Sequence, residues 1–87
     1  MITPRNVAHH ELVGLCARVV DSADTTLVGV GGRAVEETAN TLTLATDDGE
    51  KTVPKEYTAF EFDLPDATVR VDGEAICARP AERARGV

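Results

Sequence analysis

The chain has 87 residues, 43% of them hydrophobic, and carries 15 acids against 9 bases for a net charge of −6. This length allows one apolar core and excludes a second, so residues 1–87 are expected to form one domain. The acidic balance is not that of an ordinary basic nucleic-acid binder, and the scattered acids do not form an acidic tail.

In chain order, Thr3-Pro4 offers an N-cap followed by proline at the first helical position, and Gly14 stands where a left-handed C-terminal cap would fall. A short helix is predicted over Arg5 to Val13, within an N-terminal segment of residues 1–14. Its apolar positions are Val7, Ala8, Leu12 and Val13. A helix this brief is marginal alone and must dock on something.

From Leu15 the period changes to two, and Leu15 to Ser22 reads as a strand with Arg18 projecting from it. Ala23 to Thr26 turns the chain. Strands are then predicted at Leu27 to Val30, Arg33 to Glu37, Thr41 to Thr46, Lys51 to Pro54, Thr58 to Asp63, Thr68 to Val71 and Ala75 to Ala78. Asp47 to Glu50 and Val71 to Glu74 supply turn chemistry between them. Short, closely spaced strands with tight hairpins predict a mostly β fold, a small antiparallel barrel of SH3-like or Sm-like type over residues 15–78. Gly29, Gly31 and Gly32 fit a barrel corner, where a strand must bend and a neighbouring backbone comes close. A phosphate cradle is the weaker reading, because no GK[ST] step or helix start follows them.

Phe60 and Phe62 share a strand face and are expected in the core, while Tyr57 is freer to be exposed. Glu36 and Glu37, adjacent on a strand, point to opposite sides and are expected on a solvated surface. Cys16 and Cys77 lack CxxC spacing and are expected to be reduced and buried. His9 and His10 are adjacent rather than four apart, which argues against a metal site. Ser22 is the chain's single serine, and no nucleophile, general base and acid arrangement is evident. No catalytic site and no metal are therefore expected on this chain. No leader or spanning helix is apparent, which makes the cytoplasm the expected location.

The series HHELVGL (His9 to Leu15), LVGVGGRAVEETANTL (Leu27 to Leu42), KTVPK (Lys51 to Lys55), FEF (Phe60 to Phe62), VRVDG (Val69 to Gly73) and ARPAER (Ala78 to Arg83) resembles the archaeal ribonuclease P protein component 1 family. The match runs nearly end to end and in order. Two lysines beside seven arginines, with abundant acids, further suit a halophilic archaeon. Near 1 M salt the Debye length is about 3 Å, and like charges cease to repel at a distance.

The resemblance implies an Sm-like barrel with an N-terminal helix and a short helical tail over residues 79–87. It implies a subunit that supports a catalytic RNA in removing the 5′ leader from precursor tRNA, with magnesium held by that RNA and no cofactor on this chain. The implied partners are the ribonuclease P RNA, a zinc-ribbon protein subunit and, through the complex, precursor tRNA; no membrane is involved. RNA contact then falls to the basic positions Arg18, Arg33, Lys51, Lys55, Arg70 and Arg79. Lys55 is the sharpest, because Pro54 fixes the backbone ahead of it within the VPK motif. Val7 and Leu12 would form an apolar seam for the protein partner, with Arg83 in the tail beside it. Gly31 and Ala39 depart from the family pattern, where many members carry Lys or Arg, and should weaken phosphate contact. An SH3-like protein-interaction or ribosome-assembly module without RNA is the competing reading.

Overall fold

A computed structural model describes residues 12–77 of the chain. Six antiparallel strands form one sheet: β1 (Cys16–Ser22), β2 (Gly31–Glu37), β3 (Thr41–Thr46), β4 (Gly49–Pro54), β5 (Thr58–Asp63) and β6 (Thr68–Asp72). Their order is β4-β3-β2-β1-β5-β6. Consecutive strands pair with one another except β4 and β5: β5 instead pairs with the free side of β1, whose other side carries β2, with Cys16 opposite Asp63 and Ser22 opposite Thr58.

Strand alternation decides what is inside. Ala17 and Val19 of β1, Ala34 of β2, Leu42 and Leu44 of β3, Val53 of β4, Phe60 and Phe62 of β5 and Val71 of β6 all turn inward and share one cluster. Leu12, Leu64 and Ile76 add to it from outside the strands. The two phenylalanine rings pack with centroids 6.0 Å apart, and each full burial of such a side chain is worth about 1.5–3 kcal/mol. Register shifts between Val19 and Asp21 on β1, and between Ala34 and Glu36 on β2, add the local twist that lets the sheet curl around this core.

Two glycines are required by close approach. A Cβ at Gly32 would overlap the carbonyl oxygen of Ala45 on β3, as the corner reading anticipated for this stretch. A Cβ at Gly73 would overlap the carbonyl oxygen of Lys55. Gly73 follows β6 and Lys55 follows β4, so the two outermost strands of the sheet come together at their ends, giving the barrel-like shape.

In the fold, the structure departs from the sequence expectations as follows. Leu27 to Val30 is not a strand: a 3-10 turn covers Thr25–Leu27, capped by the Asp24 side chain, and Gly29 takes φ +94°. The strand expected at Ala75 to Ala78 is not formed at Ala75, Ile76 and Cys77, Ala78 lying outside the described residues; a 3-10 turn spans Gly73–Ile76 and drives Ile76 into the core. Cys16 and Cys77 are both exposed thiols rather than buried ones. Glu37 is not solvated, its side chain being 1% exposed, whereas Glu36 does face solvent. Of the helix expected over Arg5 to Val13, only Leu12 and Val13 are described and neither is helical; the rest of it and the expected helical tail lie outside the described residues, and Gly14 takes a left-handed φ of +99°.

Candidate functional site

The outer face of the central strands gathers the arginines. Cross-strand pairing sets Gly31, Arg18, Glu61 and Arg70 in one row across β2, β1, β5 and β6. The neighbouring row holds Ala45, Arg33, Cys16, Asp63 and Thr68. Side chains two apart on a strand share a face, so Arg18, Arg33 and Arg70 all project from the side opposite the core. These are the three arginines among the described residues.

Arg18 donates from Nη2 to Glu61 Oε1 at 2.6 Å, with its side chain 58% exposed. An exposed pair of this kind is worth about 0.2–1 kcal/mol, so the guanidinium remains available to exchange partners. Arg70 approaches Asp21 only to 3.9 Å. Between Arg18 and the start of β2 lies a cleft of about 220 Å³ lined by Cys16, Gly31, Gly32, Glu61 and Asp63. Its floor is open because Gly31 carries no side chain beside Arg18, whereas a Cβ on the neighbouring Gly32 would point to the opposite side of the sheet, at the Ala45 carbonyl. Gly31 therefore removes a possible cation but opens backbone beside Arg18. The face is mixed in charge, since Glu61, Asp63, Asp21 and Asp72 stand among the arginines.

Lys51 does not join this face. It pairs with Leu44 and shares the core-facing side of β4 with Val53, but it lies nearer the hairpin and is exposed. There it borders an open cavity of about 350 Å³ with Val28, Gly29, Asp47 and Asp48.

Lys55 is a correction. Expected to reach RNA, it is 0% exposed. Its Nζ donates to Glu37 Oε2 at 2.8 Å, to the Thr38 carbonyl at 2.7 Å and to the Ala39 carbonyl at 3.4 Å. The Lys55 backbone N–H donates to the Asn40 carbonyl at 2.8 Å. The other carboxylate oxygen of Glu37 accepts from the Leu12 N–H at 3.3 Å. The ammonium enters the turn between β2 and β3 rather than facing solvent. The pair ties that turn, the end of β4 and the chain at Leu12 into one knot. Its sequence signal was the cation itself: a lysine beyond a proline at a strand end, with Glu37 closing the preceding strand.

Leu12 is a second correction, because it is fully buried in the core and offers no surface to a partner. Val7, Arg79 and Arg83 lie outside the described residues. Among the described residues, no group of three His, Cys, Asp or Glu side chains is disposed to hold a metal ion, and no helix is long and apolar enough to cross a membrane.

A family profile described as ribonuclease P/MRP, subunit p29, matches residues 5–86. The chain is 49% identical over 85 residues to a ribonuclease P protein component 1 from Methanothermobacter thermautotrophicus, covering 95% of this chain and 91% of that one. It is 42% identical over 84 residues to the protein of that name from Methanocaldococcus jannaschii, covering 95% and 88%. It is 44% identical over 82 residues to the one from Haloarcula marismortui, covering 94% and 87%. A solved structure described as Mth11, a homologue of the human RNase P protein Rpp29, superposes with a TM-score of 0.61 at 47% identity, covering 85% of this chain and 97% of that one. With the six-stranded sheet and its rolled core in place, these matches agree along nearly the whole sequence: the chain belongs to the ribonuclease P protein component 1 family, subunit p29.

Proposed function

We propose that this chain is the barrel subunit of a ribonuclease P, supporting the RNA that removes the 5′ leader from precursor tRNA. The observation that carries the reading is the family match over residues 5–86, on a sheet of matching fold. In this reading the RNA holds the magnesium ions and performs the cleavage, and the protein acts by binding. Arg18, Arg33 and Arg70 are its contacts to RNA on the outer sheet face, with Lys51 as an outlying contact at the hairpin end. Lys55 is a structural residue. A zinc-ribbon subunit is the proposed protein partner, seated outside the buried core to which Leu12 belongs.

The mixed charge of the outer face limits what electrostatics can contribute. Each phosphate neutralised contributes about 0.7–0.9 to the slope of log affinity against log salt, so phosphate contacts from Arg18, Arg33 and Lys51 give a slope of about −2 to −3, Arg70 being largely offset by the acids around it. Such a protein holds RNA in concentrated salt by shape and hydrogen bonds more than by counterion release.

The test is reconstituted cleavage of precursor tRNA by the RNA and its other subunits, with and without this chain. The subunit should raise the rate or lower the magnesium required. Equal cleavage in its absence, with the chain failing to bind the RNA, would remove the reading in favour of a protein-only module.

A further inference from the structure

We propose that the cleft beside Tyr57 binds a single unpaired guanine, with Tyr57 and Arg70 as stacking surfaces and the carboxylates around them as readers of its edge. This rests on the ribonuclease P reading above and adds to it a base-specific contact on the RNA.

The cleft has a volume of about 260 Å³ and is lined by Asp21, Tyr57, Ala59, Arg70, Asp72 and Glu74, among others. Its chemistry is unusual for this chain. Tyr57 is 68% exposed and stands at φ 58°, the one residue other than glycine with positive φ among those described. A bulky residue gains nothing locally from that conformation, which costs about 1–2 kcal/mol. The backbone nevertheless holds it there from both sides. Tyr57 N–H donates to Glu74 Oε1 at 2.9 Å, and the Tyr57 carbonyl accepts from Ala23 N–H at 3.0 Å. A large ring is thus presented to solvent on a fixed frame.

Ala59, facing the cleft from β5, is small, and Arg70 on β6 lines the same space with a side chain 60% exposed. Aromatic rings and guanidinium planes over a low floor are what an unstacked base requires. The remaining groups select the ligand. Asp21, Asp72 and Glu74 outweigh Arg70, so a phosphate is repelled while an uncharged base is not. A partner's cation would have to share the carboxylates with Arg70, whose Nη2 already lies 3.9 Å from Asp21 Oδ2. Asp72 precedes the 3-10 turn but makes no capping hydrogen bond, leaving its carboxylate to accept from a ligand. Guanine alone among the four bases presents two adjacent donors, N1–H and N2–H, which match the two oxygens of one carboxylate. Adenine and cytosine offer one amino group, and uracil one imide N–H between two acceptors.

The chain contains one tyrosine and no tryptophan, so its intrinsic emission reports on this cleft directly. The full chain is titrated in 1 M KCl with the single-stranded RNA tetranucleotides UUGU and UUUU, with UUIU (inosine, lacking N2), and with an arginine tetrapeptide. UUGU should quench Tyr57 at about tenfold lower concentration than UUUU, with UUIU between them. Asp72→Ala, checked for unchanged circular dichroism, should abolish the guanine preference. Equal quenching by UUGU and UUUU, preference retained in Asp72→Ala, or quenching by the arginine peptide at lower concentration than UUGU would each overturn the proposal. Reconstituted cleavage separates the two levels. If the wild-type chain stimulates the RNA and binds it but shows no guanine preference, the cleft proposal falls alone; if it neither stimulates nor binds, the ribonuclease P reading falls with it.

Discussion

Replacing Lys55 by methionine keeps most of the side-chain volume and removes the charge. Glu37 is then left 1% exposed without its closest cationic partner, and the carbonyls of Thr38 and Ala39 lose a donor. Breaking one side of a buried pair costs about 3–5 kcal/mol. At roughly 0.05–0.15 kcal/mol per residue, a chain of this length has only about 4–13 kcal/mol in total. Lys55→Met should therefore shift the urea midpoint by roughly a quarter or more of its value, or leave the chain unfolded at 37 °C. The double variant Glu37→Leu with Lys55→Met should recover most of the loss, because two apolar groups leave no stranded charge. Both effects should persist in 3 M salt, since the pair is out of reach of screening ions. The assay is urea denaturation followed by far-UV circular dichroism. A single Lys55→Met variant within 1 kcal/mol of the parent would refute the reasoning and return Lys55 to the surface.

Three other outcomes are expected. Arg18→Gln should cost stability by no more than about 0.2–1 kcal/mol while lowering the salt slope of RNA binding by about 0.7–0.9, read by filter binding across a salt series. Gly32→Ala should destabilise by about 1–3 kcal/mol or more, because the new methyl meets the Ala45 carbonyl and β2 must move away from β3; thermal melts will show it. Tyr57→Asn should raise stability by about 1 kcal/mol, since asparagine tolerates left-handed backbone, and should weaken RNA binding without changing its salt slope.

Much of the architecture was legible because strand alternation is a local property. The bounds of Thr41–Thr46 and Thr58–Asp63 were predicted to the residue, and the inward Phe60 and Phe62 followed from period two. The failures have equally local causes. Leu27 and Val30 pack on the core from a turn, and Ile76 from a single 3-10 turn, so apolar content alone imitated strands. Cys16 was expected inside on composition, although an outward Arg18 two residues later already placed it outside. The arginine face was partly readable from type, but the sorting of Lys55 inward and Arg18 outward depends on Glu37, 18 residues before Lys55 in sequence. Charge type announces an ionic partner and does not say whether it is RNA or protein.

The placement of β1 between β2 and β5 also bears on how the molecule is made. Cys16 meets Asp63, a partner that leaves the ribosome only after the two hairpins containing β2, β3 and β4 have been synthesised. Until then the central strand is held on one side, with Val19 lacking its neighbour Phe60. Pairings this distant are slow to close. The nascent protein therefore spends its vulnerable interval with an open seam at its middle, along the edge of β1 that β5 later covers.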